Sequence, residues 1–210
     1  MSALPILWTF RRCPYAMRAR LAIQSARLKV DLREILLRDK PALFLETSPK
    51  GSVPVVNTGT TVIEESRDIM LWALGQNDPD GWLDMPLDGL ALIDACDGPF
   101  KTALDHTKYA VRYPNLDATA ERTKAAMYLH GLNDRLSKST YLMDATLKLA
   151  DIAIVTFVRQ FANIDRVWFD TQPWPHLIRW LDQFLASAAF TGIMTKYPTW
   201  QEGHDTLFLP

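Results

Sequence analysis

The chain has 210 residues, of which 48% are hydrophobic and 22% are charged, and its formal net charge is -1. A near-neutral chain has no broad attraction to nucleic acid or anionic lipid, and this length can bury one large core or two small ones. The totals therefore favour a globular protein and exclude a dedicated nucleic-acid binder.

The composition also bears on membranes and on the redox environment. No apolar run reaches the ~20 residues of a membrane-spanning helix, and the start "MSALPILWTFRRC" has no basic leader of the signal-peptide type. We therefore expect a reducing, cytoplasmic location and no membrane partner. The two cysteines, Cys13 and Cys96, are far apart in unlike contexts, so a disulfide framework is not indicated.

The first part of the chain predicts strands alternating with helices. The segment "LPILWTF" (4–10) is typical of a short strand, residues 14–28 have helical spacing, and "VDLREILL" (30–37) is typical of a second strand. A short helix is predicted next, with Asp39 as a possible N-cap and Pro41 near its start. This opening has the order βαβα.

A hairpin and a third helix are predicted after it. The runs "VPVVN" and "TTVIEE" flank a turn around Gly59, and Ser66 is the expected N-cap of "RDIMLWALGQN". The first domain is therefore predicted to be an α/β domain with the order βαβαββα.

Composition changes at "NDPDGWLDMPLDG", which is rich in Asp, Pro and Gly. Beyond it, strand patterns nearly vanish and four long segments have helical spacing. The sequence predicts a first domain at 1–77, a linker at 78–87 and an all-helical second domain at 88–210.

Cys13 lies where the first strand meets the first helix, in "TFRRCPYAMRAR". A thiol at a helix N-terminus faces unpaired N–H groups and the positive end of the helix dipole, which favour the thiolate. Pro14 suits the first helical position, and Arg11 and Arg12 add positive charge. Such surroundings can lower the pKa of a cysteine from ~8.5 to ~3.5–7.5, so a reactive Cys13 is favoured over an inert one. Cys96 lies within a helical pattern and is expected to be structural.

The third residue after Cys13 is Ala16, so the chain has no Cys-x-x-Cys pair there. A single thiolate can form a mixed disulfide, but a second thiol from solution must then resolve it. The abundant cytosolic candidate is glutathione.

The first domain also offers candidate groups for an extended peptide. A cis bond between Val53 and Pro54 would leave the Val53 backbone available to such a peptide, although statistics alone favour the trans form. Glu65 offers a carboxylate for an amine, and Ser66 offers a hydroxyl and a backbone N–H for a carboxylate.

The motifs "CPYA", "SPKGSVPVV" and "EES", followed by an acidic linker and a helical half, resemble the cytosolic glutathione transferase superfamily over nearly the whole chain. Within it, they are most similar to the cysteine-type, omega-like or glutaredoxin-like classes. The resemblance implies a thioredoxin-like first domain, a helical second domain, glutathione as cosubstrate and a two-fold homodimer. It also implies that Cys13 is the active-site thiol and that Val53, beside cis-Pro54, pairs with the cysteinyl backbone of glutathione. Glu65 and Ser66 would bind the γ-glutamyl end.

Two lysines, Lys40 and Lys148, stand at positions that the family resemblance marks. Lys40 matches a lysine that, in omega-like sequences, reaches the glycine carboxylate of glutathione; a solvated surface lysine is the alternative. Lys148 stands where family members usually carry a serine or threonine cap, three residues before Asp151. Because a lysine cannot accept backbone N–H bonds, only the carboxylate of Asp151 is expected to cap that helix.

The second-substrate pocket is the least defined part of the site. His106, Tyr109 and Tyr113 have the spacing i, i+3, i+7 of one helix face, which more often serves packing than a pocket. Together with Phe10 and Arg11 they are the candidate lining residues. The four histidines show no metal-ligand spacing, so no metal is predicted.

Three functions remain open at this point. The first is a glutathione-dependent thiol transferase or reductase, in which Cys13 takes glutathione from a mixed disulfide and a second glutathione releases it. The second is a glutathione S-transferase that conjugates glutathione to an electrophile, a reaction that favours a serine or tyrosine over a cysteine. The third is a non-catalytic adaptor of the same architecture, against which the intact Cys13 argues.

Overall fold

The computed structural model describes residues 4–209, so the ends of the predicted domains at residues 1–3 and 210 lie outside it. The chain forms two compact units. One unit comprises the chain up to Asp80 together with the segment from Ala186 onward, and the other is Gly81–Leu185.

The first unit is built on a four-stranded mixed sheet of order β2-β1-β3-β4. Its strands are β1 (Ile6–Thr9), β2 (Asp31–Glu34), β3 (Val55–Asn57) and β4 (Val62–Ile63), and its helices are α1 (Pro14–Ser25), α2 (Ala42–Thr47) and α3 (Ser66–Gln76). β1 is parallel to β2 and antiparallel to β3, which is antiparallel to β4. The parallel pair requires a crossover, which α1 supplies while it packs against α3. The predicted α/β class and the order βαβαββα are confirmed.

Three local predictions in this unit are wrong. Asp39 is not the cap of α2, because Pro41 is the N-cap residue; the N–H of Asp39 instead bonds to the carbonyl oxygen of Leu36. Ser66 is the first residue of α3 and Glu65 is its N-cap, with no side-chain cap bond. Helix α1 ends at Ser25 rather than near residue 28.

The early end of α1 has a backbone cause. Arg27 has φ 55, the left-handed conformation that ends many helices. The N–H of Arg27 bonds to the carbonyl oxygen of Gln24, and the N–H of Leu28 bonds to that of Ile23. These two bonds satisfy carbonyl groups that the helix would otherwise leave unpaired.

The second unit is helical throughout the ordered elements that the structure describes, which confirms the predicted class. The helices are α4 (Asp88–Ala95), α5 (Lys101–Lys108), α6 (Ala118–Leu136), α7 (Leu149–Ala162), α8 (Arg166–Asp170) and α9 (Pro175–Ala186), with a π-helical segment at Cys96–Phe100 and a 3-10 turn at Ala110–Arg112. Cys96 is fully buried, as expected of a structural cysteine.

Helix α7 has half of a capping arrangement. The carboxylate of Asp151 accepts the backbone N–H of Lys148 at 3.1 Å, while the ammonium of Lys148 donates to the carbonyl oxygen of Gly81 at 3.1 Å. The lysine therefore caps no N–H group of the helix, as its chemistry dictates.

The end of the chain groups with the first unit, although the sequence placed it within 88–210. Helix α10 (Ala188–Ile193) packs against α1. Farther on, the carbonyl oxygen of Leu207 accepts the N–H of Leu32 on β2 at 2.8 Å. Backbone bonds to a distant strand leave little trace in the side-chain pattern, so the sequence does not indicate this attachment.

Candidate active site around Cys13

Cys13 is the N-cap residue of α1, and Pro14 occupies the first helical position. The residue is half-buried and packs against an apolar cluster that includes Trp8, Phe44 and Val53. Its thiol donates to the carbonyl oxygen of Val53, with an Sγ–O distance of 3.6 Å. The structure thus brings together two of the residues that the sequence singled out.

Val53 is joined to Pro54 by a cis peptide bond. The statistical expectation of a trans bond is therefore wrong here, and the form implied by the family resemblance is the one present. Val53 is 8% exposed and stands two residues before β3, next to the thiol. The backbone at this position is where an extended peptide is expected to pair.

Lys40 lies against the turn that leads to Val53. A Cβ atom added to Gly51 would lie 3.2 Å from the Lys40 ammonium nitrogen, and Gly51 also has φ 62. The left-handed backbone favours glycine at this position, whereas the flexible end of Lys40 could move aside for a side chain. Lys40 itself is exposed, so its charge is available to solvent and to a ligand.

Glu65 and Ser66 differ in their surroundings. The exposed carboxylate of Glu65 accepts a hydrogen bond from the ammonium of Lys50, and this bond raises the pKa of Lys50. Ser66 is 3% exposed, and its hydroxyl oxygen accepts a bond from Nε of Arg18 at 3.0 Å. Glu65 therefore forms an ion pair with the ammonium group of Lys50, while the Ser66 hydroxyl is held by the buried guanidinium of Arg18.

Phe10 and Arg11 form the turn before the thiol. Phe10 packs against the same apolar cluster as Cys13, and its carbonyl oxygen accepts the Cys13 N–H at 3.0 Å. The guanidinium of Arg12 lies 5.4 Å from the centre of the Phe10 ring. These contacts fix the turn, and a role in binding a second substrate stays a prediction.

The candidate residues of the second unit do not share one helix face. Helix α5 ends at Lys108, and Tyr109 leaves the helical conformation with φ -113 and ψ 38. The rings of His106 and Tyr113 nevertheless contact each other, with centroids 4.4 Å apart. Tyr109 instead contacts the guanidinium of Arg112, 4.5 Å from its ring centre. The one-face prediction is wrong because it assumed an unbroken helix.

Sequence reasoning missed two buried charges behind the turn, Arg20 and Glu34. Burial lowers the pKa of Arg20 to about 10, although the negative charges of Glu34 and Cys13 act in the opposite direction. Burial also raises the pKa of Glu34, against the hydrogen bond that it accepts from the Arg11 backbone. A charged residue on a predicted helix or strand normally indicates a solvated face, so no signal in the sequence marked Arg20 or Glu34.

Within 4–209, no cluster of three or more His, Cys, Asp or Glu side chains is placed to hold a metal ion. Over the same range, no helix has both the length and the apolar character needed to cross a bilayer. The cytoplasmic location expected from the sequence stays a prediction.

The sheet, the cis proline and the helix-capping cysteine define a protein of the thioredoxin-like class that carries an additional helical unit. A model of the glutathione S-transferase N-terminal domain matches residues 7–81, and a model of the C-terminal domain matches residues 117–183. Together they account for more than half of the chain, which belongs to the glutathione S-transferase superfamily.

Individual relatives support the same family. A probable glutathione transferase of Aplysia californica is 48% identical over 46 residues, which are 22% of this chain and 50% of that protein. Glutathione S-transferase DHAR2 of Arabidopsis thaliana is 30% identical over 92 residues, which are 44% of this chain and 43% of that protein. The matched stretches thus span half or less of these relatives.

Solved structures extend the likeness of fold to almost the full chain. A glutathione transferase family member from Pseudomonas fluorescens, solved with two glutathione molecules bound, superposes with a TM-score of 0.74. The alignment covers 91% of this chain and 92% of that one, at 18% sequence identity. At this identity the likeness concerns the fold alone.

Proposed function

We propose that the protein is a glutathione-dependent enzyme of the thiol transferase and reductase type, with Cys13 as its single nucleophile. The contact between the Cys13 thiol and the Val53 carbonyl oxygen is the observation that supports it most directly. The Val53 backbone, next to cis-Pro54, is the proposed partner of the cysteinyl residue of glutathione. A peptide bound there would bring its sulfur next to the Cys13 sulfur.

Charged groups of the same unit suit the two ends of glutathione. The Glu65 carboxylate holds the ammonium of Lys50, and an α-amino group of a γ-glutamyl residue would form the same kind of ion pair. The Ser66 hydroxyl, fixed by Arg18, can donate its proton to the adjacent α-carboxylate. Lys40, exposed beside Gly51, offers a positive charge for the glycine carboxylate.

The reaction is a pair of thiol–disulfide exchanges. The Cys13 thiolate attacks the glutathione sulfur of a mixed disulfide between glutathione and a substrate, forms a Cys13–glutathione disulfide and releases the substrate thiolate, which takes up a proton. The thiolate of a second glutathione then attacks the glutathione sulfur of that intermediate. Oxidised glutathione leaves, and the Cys13 thiolate is regenerated.

The test is to replace Cys13 with alanine and to measure the release of glutathione from a glutathionylated peptide. We expect turnover to fall at least 100-fold, because no other nucleophile of this chain is proposed to act. The matched control is Cys96→Ala, the same change at the buried cysteine, which should keep its turnover. Unchanged turnover in Cys13→Ala would reject the proposal. Wild-type protein incubated with oxidised glutathione should carry one adduct, on the peptide that contains Cys13.

Conjugation of glutathione to an electrophile is the second candidate, favoured by the transferase names of the relatives. A cysteine tends to trap glutathione as a disulfide, whereas a serine hydroxyl can stabilise its thiolate without reacting. Cys13→Ser should therefore gain conjugation of an aryl halide if the site supports this reaction. If neither the wild type nor Cys13→Ser conjugates the aryl halide, conjugation is not the function of this site.

We also propose that the chain forms a homodimer, as its family resemblance implies. Apolar side chains exposed on the first unit, Val62 at 41% and Leu71 at 39%, are available for such an interface. Light scattering at micromolar concentration should give twice the chain mass of 23.9 kDa. A monomer mass would contradict this assembly and leave the chemistry of Cys13 untouched.

A further inference from the structure

A buried pair of opposite charges, Arg20 and Glu34, lies behind the turn that carries Cys13. Arg20 belongs to α1 and is 1% exposed, and Glu34 ends β2 and is 9% exposed. Charged side chains are almost never this buried unless they are paired, and their burial costs desolvation energy. Such a cost is offset only if the two charges make compensating contacts.

The pair holds the backbone of one residue, Arg11, from both sides. The backbone N–H of Arg11 donates to the Glu34 carboxylate at 2.7 Å, and the carbonyl oxygen of Arg11 accepts a bond from Nη2 of Arg20 at 2.7 Å. A third bond, 2.6 Å long, runs from Nη1 of Arg20 to the Thr9 hydroxyl at the end of β1. The turn between β1 and α1 is thus fixed two residues before Cys13.

The helix explains how one arginine reaches this turn. Arg20 follows Cys13 by seven residues, which is about two helical turns, so both lie on the same side of α1. Helical side chains lean towards the N-terminus, and a long guanidinium can reach back along the helix. Nε of Arg20 is buried and, within residues 4–209, finds no hydrogen-bond acceptor.

The charges around Arg20 come from four segments. They are Glu34 on β2, Arg11 in the turn, Cys13 at the start of α1 and Tyr197 in the tail. Burial raises the pKa of Tyr197, so its hydroxyl is neutral near pH 7 and donates to the carbonyl oxygen of Phe208 at 2.8 Å. Glu34 and an ionised Cys13 are the groups that attract the guanidinium.

We infer that Arg20 is a positioning residue for Cys13: its buried guanidinium, balanced by Glu34, holds the Arg11 backbone in place and sets a fixed positive charge behind the turn that carries the thiolate. The inference rests on the proposed function, in which that thiolate is the nucleophile. The positive charge that favours the thiolate then comes from two sources, the Arg20 guanidinium and the N-terminus of α1. The exposed Arg12 of the same turn has a smaller part, since solvent screens its charge.

The test compares the pH dependence of Cys13 alkylation by iodoacetamide, followed by mass spectrometry of the Cys13 peptide, in four proteins. They are the wild type, Arg20→Met, Arg20→Lys and the control Arg12→Met. Removing the buried charge should move the alkylation midpoint up by about one pH unit and slow the reaction at pH 6 about tenfold. Arg20→Lys keeps the charge, so its midpoint should lie close to that of the wild type. Arg12→Met should shift the midpoint by much less than Arg20→Met does. A folded Arg20→Met protein with the wild-type midpoint would overturn the inference.

Two further variants keep the test decisive if Arg20→Met does not fold. Glu34→Gln leaves the guanidinium without its counter-charge, and the double change Arg20→Met with Glu34→Gln leaves no buried charge at all. The alkylation midpoint of the double variant should lie above that of Glu34→Gln, and equal midpoints would reject the role of Arg20.

The assay contains no glutathione, so it distinguishes a failure of the proposed function from a failure of the role of Arg20. A wild-type midpoint near that of an ordinary cysteine, ~8.5, would count against the proposed function, whereas a low midpoint that Arg20→Met leaves unchanged would count against Arg20 alone.

Discussion

The backbone N–H of Trp200 donates to the carbonyl oxygen of Glu34 at 2.8 Å, which ties the tail of the chain to the outer strand β2. The indole of Trp200 packs edge-on against that of Trp8, with ring centroids 5.0 Å apart. The guanidinium of Arg33 lies over both rings, at 5.0 and 4.7 Å from their centres. The tail thus covers an edge strand that would otherwise be open to pairing with another chain.

Removing this indole should destabilise the first unit. Trp200→Ala removes the aromatic contact with Trp8 and the ring against which the Arg33 guanidinium lies. Because Trp200 is half-buried, the free energy of unfolding should fall by about 2–4 kcal/mol. Urea unfolding followed by the remaining tryptophan fluorescence measures the loss of stability. The control is Phe208→Ala in the same tail, where the ring is 49% exposed and the expected loss is below about 0.5 kcal/mol. Equal stabilities for the two variants would show that the tail contributes no packing energy through Trp200.

Much of the first unit could be predicted because local patterns and global fold agree there. Pro14 marks the start of α1, and the turn at Gly59, with φ 89, joins two short strands as expected. The tail could not be assigned, since it attaches through backbone bonds such as Leu207 to Leu32, which do not depend on side-chain type. The end of α1 depends on the left-handed conformation of Arg27, which arginine rarely adopts.

The site shows the same division. Cys13 and the Val53-Pro54 pair were found because a strand, a thiol and a proline occur in a recognisable order. Arg20 and Glu34 were not found, because burial of a charge depends on what packs over it, and here α1, β2 and the turn close around both. A buried charge in a helix is indistinguishable from a solvated one until tertiary contacts are known.

Glu65 provides a test of how the γ-glutamyl end is bound. Glu65→Gln keeps the size of the side chain but removes the charge that would attract an α-amino group, so glutathione affinity should fall about two- to fivefold. The small magnitude follows from exposure, since 64% of this side chain is accessible. Isothermal titration should show the loss for glutathione and no loss for an analogue without the α-amino group. Glu46→Gln, the same change at an exposed position of α2, is the control and should bind both compounds as the wild type does.

Ser66 should matter to stability as well as to binding. Ser66→Ala removes the acceptor that lies 3.0 Å from Nε of Arg18, and both residues are buried, so the expected loss is about 1–3 kcal/mol. A double-mutant cycle with Arg18→Met separates this bond from other effects and should give a coupling energy of at least about 0.5 kcal/mol. Glutathione affinity should fall in Ser66→Ala, because the γ-glutamyl carboxylate loses a hydroxyl donor. A coupling energy near zero would show that the bond between Arg18 of α1 and Ser66 of α3 does not stabilise the fold.

The carboxylate of Asp151 predicts a pH dependence of stability in the second unit. It is 1% exposed and accepts three N–H bonds, from Leu142 at 2.9 Å and from Lys148 and the Trp180 indole at 3.1 Å. Burial nevertheless raises the pKa of Asp151 from 3.8 to about 6. Between pH ~4 and pH ~6 the folded chain keeps a proton on Asp151 that the unfolded chain has released. The stabilising contribution of Asp151 is therefore complete below pH ~4 and is lost as the pH rises through ~6.

Asp151→Asn isolates this effect because the amide stays neutral at every pH. The difference between the two pKa values corresponds to about 3 kcal/mol, so raising the pH from 4 to 7 should lower the stability of the wild type relative to Asp151→Asn by up to that amount. Urea unfolding of both proteins at several pH values measures the difference between their free energies of unfolding. Groups that titrate in both proteins contribute equally and drop out of this difference. Asp144→Asn, the same change at an exposed position, is the control. If the wild type instead gains stability relative to Asp151→Asn as the pH rises, the three N–H donors outweigh burial and Asp151 is already ionised at low pH.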